Sequence, residues 1–394
     1  MCSATSKDIL PEPPIELKRL SEELANRIRE KIDRNGPIPF SAYMEMALYE
    51  PGLGYYSAGL RKFGADGDFV TAPELGDVFA RCIAGQIEQV ADALEDFSIL
   101  EVGAGTGRLA CDVLAALPAG SMPSRYMILE RSADLRARQE AEIANRHPAL
   151  VDRVEWLDEP PADPWQGVLL ANEVIDALPV ELFSLQSGQV KQQCVAHGEN
   201  GFYWQSAPAP DYLETHVRHV LGDSLGHLTE DYTSEICLML APWLDGLTAG
   251  LERGYALFID YGYSRRDYYS PQRHMGTLIC NYRHRAHDDP FVYPGLQDIS
   301  AFVDFTALAE AADSCGLECA GYTSQAMFLL GSGLEDAVQR LEPLDDRERM
   351  TLATEIRELT MPGAMGEKFQ VMALGRDMDL ALKGFEHLDL RYRL

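Results

Sequence analysis

The chain has 394 residues, 46% of them hydrophobic and 24% charged. That length can bury a sizeable core in more than one lobe, and no apolar stretch reaches the roughly 18 residues of a membrane-spanning helix. The 62 acidic and 34 basic residues give a net charge of −28, which argues against nucleic acid, whose phosphates need a basic surface, and suits a cationic substrate.

The N-terminal residues MCSATSKDILPEPP contain neither an apolar signal core nor an Arg-rich transit pattern. The eight cysteines are scattered without a CxxC, so neither a zinc site nor a redox motif is indicated and no metal is expected. Reduced thiols and this N-terminus lead to the expectation of a cytoplasmic protein.

Residues 1–95 read as a mixed, helical N-terminal region. Leu17, Leu20, Leu24, Ile28 and Ile32 share one helical face, which predicts a helix over 16–32 packed on the core. Further on stands GDFVTAPE (67–74). Thr71 and Glu74 have capping-box spacing, and Pro73 suits the first turn of a helix. The segment reads either as a plain helix start or as one whose free N–H groups also face a carboxylate.

From residue 96 onward strands and helices alternate. The stretch ILEVGAGTGRLACDVL (99–114) is an apolar strand, a glycine-rich turn and an amphipathic helix, the opening of a nucleotide-type α/β fold. A dinucleotide fingerprint would need glycine at 108, where Arg108 stands. Instead Gly103, Gly105 and Gly107 follow the acidic Glu101, a spacing that suits S-adenosylmethionine (SAM), which has no pyrophosphate to seat. The strand YMILE (126–130) ends in Glu130, 23 residues beyond Gly107, where a carboxylate can accept ribose hydroxyls. In VEWLD (154–158), Trp156 is placed to pack on adenine or to bury in the core, and Asp158 to accept the adenine amino group. A fourth strand over 168–171 leads to Asn172 and Glu173, and a fifth, 255–263, carries Asp260 near its end. Polar residues just past parallel strand ends face the ligand crevice.

Between the last two strands lies an insertion, about 182–254. It reads as a hairpin over 182–205 and helices over 211–222 and 233–250, and its length beside a crevice suggests a substrate lid. After an irregular segment (273–300) come a helix over about 303–315 and a closing strand near 368–375. His284 and His287 lack a carboxylate at ligand spacing and read as loop residues.

These residues resemble the MidA family of class I SAM-dependent methyltransferases. The likeness rests on GDFVTAPE (67–74), EVGAGTGRLACD (101–112), NEVIDALPVELF (172–183), DYGY (260–263), GTL (276–278), DISAFVDFTAL (298–308) and TSQAMFLLGSG (323–333), in family order. Departures are small: Ser300 where threonine is frequent, Gly76 where serine is usual. The resemblance implies an α/β fold: a Rossmann-like class I methyltransferase sheet with helices on both faces, spanning 96–394, plus the N-terminal helical region and the mixed lid insertion. It implies that Gly67, Asp68, Phe69, Thr71, Pro73 and Glu74 line the SAM pocket with Gly103, Gly105, Glu130, Asn172 and Glu173. The family's mitochondrial members are complex I assembly factors that methylate protein arginines.

An arginine guanidinium stays protonated near neutral pH, so a carboxylate must hold it for attack on the methyl group. Glu173 and Glu181, with Asp176 between them, resemble the paired-glutamate loop of arginine methyltransferases. Glu173, helped by Asp176 or Glu181, is therefore the expected guanidinium clamp. The expected product is S-adenosylhomocysteine, and the expected partner a protein arginine; the resemblance points to a respiratory complex I subunit. Three alternatives stay open at this level: a SAM-binding assembly chaperone with little turnover, a dinucleotide-dependent oxidoreductase, and, for quaternary state, a homodimer.

Overall fold

The computed structural model describes residues 10–58, 71–339 and 344–394. Its strands are β1 (Ile38–Pro39), β2 (Ser98–Val102), β3 (Arg125–Leu129), β4 (Val154–Leu157), β5 (Trp165–Asn172), β6 (Glu181–Gln186), β7 (Gln189–Gly198) and β8 (Gly201–Pro208). They continue with β9 (Thr233–Ile236), β10 (Leu251–Tyr263), β11 (Ile279–Tyr282), β12 (Arg285–His287), β13 (Asp298–Ser300), β14 (Val303–Asp304), β15 (Glu318–Ser324) and β16 (Phe369–Arg376). The first eight helices are α1 (Ile15–Asn35), α2 (Phe40–Tyr49), α3 (Ala72–Leu75), α4 (Val78–Ala91), α5 (Arg108–Ala116), α6 (Ala133–Arg146), α7 (Asp211–Leu221) and α8 (Leu240–Thr248).

Packing divides the described chain into two units, each discontinuous in sequence. One comprises residues up to 58 with 176–240 and 265–302; the other comprises 71–175, 241–264 and 303 onward. The sequence suggested contiguous regions, 1–95 and then 96–394. Long-range strand pairing is what makes the packing units discontinuous, because β1 pairs antiparallel with β7.

The larger unit is built on an eight-stranded sheet in the order β15-β16-β10-β5-β2-β3-β4, with β14 joined to β10. From β4 to β10 the neighbours are parallel, and β16 and β15 add antiparallel strands. All of β2 and nearly all of β5 are buried, as expected for parallel strands covered on both faces. On one face Phe79, Ile83 and Ile87 of α4 and Leu109 and Val113 of α5 share a core with Ile99, Val168, Leu257 and Val371. On the other face Phe258, alternating with Leu257, meets Trp243 of α8 at 6.1 Å between ring centroids. The expected α/β sheet with helices on both faces is present.

The smaller unit holds an antiparallel sheet, β1-β7-β6-β9 with β8 on β7, and a three-stranded sheet, β12-β11-β13. Leu24, Ile28 and Ile32 of α1 join Phe40, Tyr43 and Met44 of α2 in its core, together with Leu182 and Val195. The helical stripe expected over 16–32 is thus a core-facing helix. The expected helix over 233–250 is shorter. Thr233–Ile236 instead forms β9, paired antiparallel with β6 from Glu181↔Ile236 to Ser184↔Thr233. An available sheet edge overrides the local helical pattern there.

Among the described residues no helix is long and apolar enough to cross a membrane.

Candidate cofactor and substrate site

In the larger unit the strand order reverses at β2, which has β3 on one side and β5 on the other. This is the switch point at which open α/β sheets bind ligands, beyond the carboxyl ends of the strands. The chain leaving β2 passes through Gly103, Gly105 and Gly107 with φ of 67°, 54° and 82°, conformations that side chains with a Cβ rarely adopt. The turn is also tightly packed at two of the three glycines. A Cβ on Gly103 would lie 3.2 Å from Val174 Cγ2, and one on Gly107 3.1 Å from Gln139 Cα. The glycine turn is therefore wedged between the segment after β5 and helix α6.

Thr71, Pro73 and Glu74 belong to the same unit, but their chemistry differs from the expected capping box. The Thr71 side chain makes no cap bond to α3. The Glu74 carboxylate accepts the Thr106 hydroxyl at 2.6 Å, and Arg108 Nη1 donates to the Glu74 carbonyl at 3.1 Å. Tertiary partners outcompete the local cap, and the result ties this segment to the glycine turn. Gly67, Asp68 and Phe69 lie outside the described residues.

Glu130 follows β3 and is partly buried. Its Oε1 accepts the Ser132 N–H at 2.9 Å and its Oε2 accepts Gln139 Nε2 at 3.2 Å. Gln139, fully buried on α6, also donates to the Gly105 carbonyl at 3.1 Å and accepts the Trp156 indole N–H at 2.9 Å. Trp156 packs partly buried against the main core. Asp158 is 81% exposed and bound to Arg136 in an ion pair. Sequence reasoning missed Gln139. The available signal was its position on the apolar stripe Leu135–Gln139–Ile143, where a buried amide demands partners.

Glu101 is only 3% exposed and takes the Tyr126 hydroxyl proton at 2.6 Å. Burial pushes its carboxyl up to about 7, and the tyrosine bond acts in the opposite direction.

At the end of β5, Asn172 Nδ2 donates to Glu173 Oε1 at 3.1 Å. Glu173 itself sits at φ 54°, a strained conformation for a residue with a Cβ, costing on the order of 1–3 kcal/mol. Asp260, 1% exposed at the end of β10, holds the turn that follows. Its Oδ2 accepts the N–H groups of Val174 and Ile175 at 3.2 and 2.9 Å, and its Oδ1 accepts that of Tyr261 at 2.9 Å. Its place near a strand end suggests a crevice-facing carboxylate, but the structure uses it as a clamp on the backbone next to Glu173.

Asp176 and Glu181 belong to the smaller unit. Asp176 is buried, and its carbonyl accepts the Ala301 N–H at 2.9 Å. Glu181 does not suit the expected clamp. It is 7% exposed, with Oε1 accepting the Ser41 hydroxyl at 2.6 Å and Oε2 accepting Gln192 Nε2 at 2.9 Å. Pairing of β6 with β7 buries its side chain under neighbouring polar groups, a placement that one-dimensional spacing does not show.

A family model described as "Putative S-adenosyl-L-methionine-dependent methyltransferase" matches residues 78–323. The chain belongs to this methyltransferase family. It is similar to a crystallised superfamily member from Burkholderia thailandensis with S-adenosyl-homocysteine bound: 41% identity, TM-score 0.92, covering 98% of this chain and all (100%) of that one. Among curated relatives, the Drosophila melanogaster mitochondrial protein arginine methyltransferase NDUFAF7 homolog is 27% identical, covering 92% of this chain and 89% of its own. The human mitochondrial protein arginine methyltransferase NDUFAF7 is 26% identical, covering 87% and 81%. The methyltransferase therefore uses SAM as cofactor and leaves S-adenosylhomocysteine. Its residues fit that group, because Asn172 Oδ1 is a buried acceptor without a partner among the described residues, at a strand end beside a turn of three glycines at positive φ. The cytoplasmic expectation is overturned: these curated relatives are mitochondrial proteins, and scattered reduced cysteines are as compatible with a mitochondrial interior as with a cytoplasm.

Proposed function

We propose that this methyltransferase transfers the methyl group to a guanidinium nitrogen of a protein arginine, with Glu173 holding the guanidinium. The observation that carries the reading is the strained Glu173 at the crest of β5, fixed by Asp260 and bonded by Asn172. Strain of this kind persists where surrounding structure over-determines it, and it clusters at functional sites. The names of the relatives, protein arginine methyltransferases matched over most of their length, support the same substrate class.

Bound SAM supplies a methyl group on a cationic sulfur, open to in-line displacement by nitrogen. The chain supplies the orientation, which is worth up to ~7–11 kcal/mol in well-aligned reactions. Gly103, Gly105 and Gly107 admit the ligand close to the backbone. Glu130 accepts the ribose hydroxyls, Trp156 and Asp158 border the adenine, and Asn172 Oδ1 takes a donor from the ligand. Thr71, Pro73 and Glu74 close the pocket beside Thr106. Glu173 pairs with the guanidinium and receives the proton that the methylated nitrogen sheds. Glu181 acts as structural support through Ser41 and Gln192. By family resemblance the partner is a respiratory complex I subunit.

Glu173→Gln tests this reading. Labelled SAM is incubated with purified soluble complex I subunits, and modified arginines are located by mass spectrometry. The expected result is loss of transfer with SAM affinity kept within about threefold. Undiminished transfer by the variant would remove Glu173 from the mechanism.

A further inference from the structure

We propose that Gln139 is a positioning residue of the cofactor site: one buried amide sets the Glu130 carboxylate, the glycine turn and the Trp156 indole in register with one another. The proposal rests on the reading of Glu130 as a ligand of the cofactor ribose.

Gln139 is fully buried, and its side chain makes three hydrogen bonds to three different segments. The two N–H groups on Nε2 are directed at the Gly105 carbonyl, 3.1 Å away, and Glu130 Oε2, 3.2 Å away. Its Oε1 accepts the indole N–H of Trp156 at 2.9 Å. The three partners lie after β2, after β3 and on β4, so the amide joins the carboxyl ends of consecutive strands. Only a neutral amide offers two donors and an acceptor at one site. A carboxylate would lack the donors, a lysine the acceptor, and an aliphatic side chain both.

The consequence for Glu130 is specific. Ser132 N–H reaches Oε1 and Gln139 reaches Oε2, so the carboxylate is gripped on both oxygens and its plane is set before ligand arrives. A preset carboxylate loses less rotational freedom when it accepts a diol. The contact between Gln139 and the glycine turn is also steric, because a Cβ on Gly107 would approach Gln139 Cα, Cβ and Cγ at 3.1–3.2 Å. Helix α6 thus sets the turn through packing and through the Gly105 bond together.

Among the described residues the charged side chain hydrogen-bonded to Gln139 is Glu130, while Arg136 on the same helix is directed at the Glu130 carbonyl and at Asp158. A carboxylate placed at 139 would therefore stand against another carboxylate and share a proton with it, and that shared proton restores one donor. This gives a readout that simple loss of packing does not.

The test is calorimetric titration of full-length wild type, Gln139→Glu, Gln139→Leu and Glu130→Ala with S-adenosylhomocysteine at pH 8.5 and pH 6, with folding checked by circular dichroism. The expected result is an affinity loss of at least tenfold for Gln139→Glu at pH 8.5, mostly regained at pH 6. Gln139→Leu should be weakened at both pH values, with wild type level across them. If the leucine variant does not fold, the pH response of Gln139→Glu decides. A folded Gln139→Glu that binds like wild type, or is equally weak at both pH values, overturns the proposal while a weakened Glu130→Ala leaves the ribose reading intact. Wild-type affinity in Glu130→Ala overturns the ribose reading and the proposal with it.

Discussion

Tyr126 on β3 donates its hydroxyl proton to Glu101 on the adjacent β2 at 2.6 Å, inside the parallel sheet. The bond only partly offsets the burial of the carboxylate, whose pKa is pushed up from 4.5 to about 7. Folding therefore favours the protonated acid. Its stabilising contribution is fully present below pH 4.5 and is lost as pH rises through about 7. Glu101→Gln keeps an acceptor for Tyr126 and removes the charge. The variant should be more stable than wild type by roughly 3 kcal/mol at pH 8 and show no gain near pH 4.5. Thermal melts of both proteins at the two pH values check this, and equal gains at both would contradict it.

Removing the Asp260 clamp should act on Glu173 without touching ligand. Asp260→Ala leaves the N–H groups of Val174, Ile175 and Tyr261 without this acceptor, which costs about 1–3 kcal/mol for each buried donor not reached by water. The expected effect is a fall in kcat of ten- to a hundredfold, with SAM affinity changed far less. Asp260→Asn, which retains an acceptor oxygen, should recover part of the rate. A crystal structure of the alanine variant should show Glu173 relaxed from its left-handed conformation; an unmoved Glu173 would count against the clamp.

The GTL segment owes its sequence to a buried acid. Glu235 is 1% exposed and accepts the N–H groups of Thr277 and Leu278 at 3.0 and 3.1 Å, together with the Thr277 hydroxyl at 3.1 Å. Gly276 lies at φ 76°, and a Cβ there would stand 2.2 Å from Glu235 Oε1. The carboxylate is held by these donors and cannot swing into water. Gly276→Ala should lower stability by about 2–4 kcal/mol, measured as a reduced urea midpoint with unchanged slope.

Glu181→Gln separates support from catalysis. Its amide would turn a donor toward either Ser41 or Gln192, where the carboxylate now accepts, at a cost of about 1–3 kcal/mol. The melting temperature should drop while kcat stays within twofold. A loss of kcat comparable to that of Glu173→Gln would return Glu181 to the substrate clamp.

The parallel strands and the glycine turn were legible because their determinants are local: apolar runs of strand length, glycines where φ is positive, and a periodic apolar face on α1. Glu130 and Asn172 stood out as polar residues at strand ends. The capping role of Thr71 and Glu74 was legible too, yet it is not realised, because Thr106 and Arg108 compete for Glu74. Residues 233–236 were misread for a related reason, since their state depends on β6 lying beside them.

By itself the sequence determined the parallel strands of the larger unit, the glycine turn after β2 and the acidic character of the chain, all consequences of residue type and short-range spacing. Tertiary structure alone decided which buried polar groups meet. Gln139 finds Gly105, Glu130 and Trp156, Asp260 finds the backbone after Glu173, and Glu181 is taken by Ser41 and Gln192. A buried donor or acceptor must be paired wherever the fold carries it, and its partner is chosen by strand order and register, to which sequence separation gives no guide.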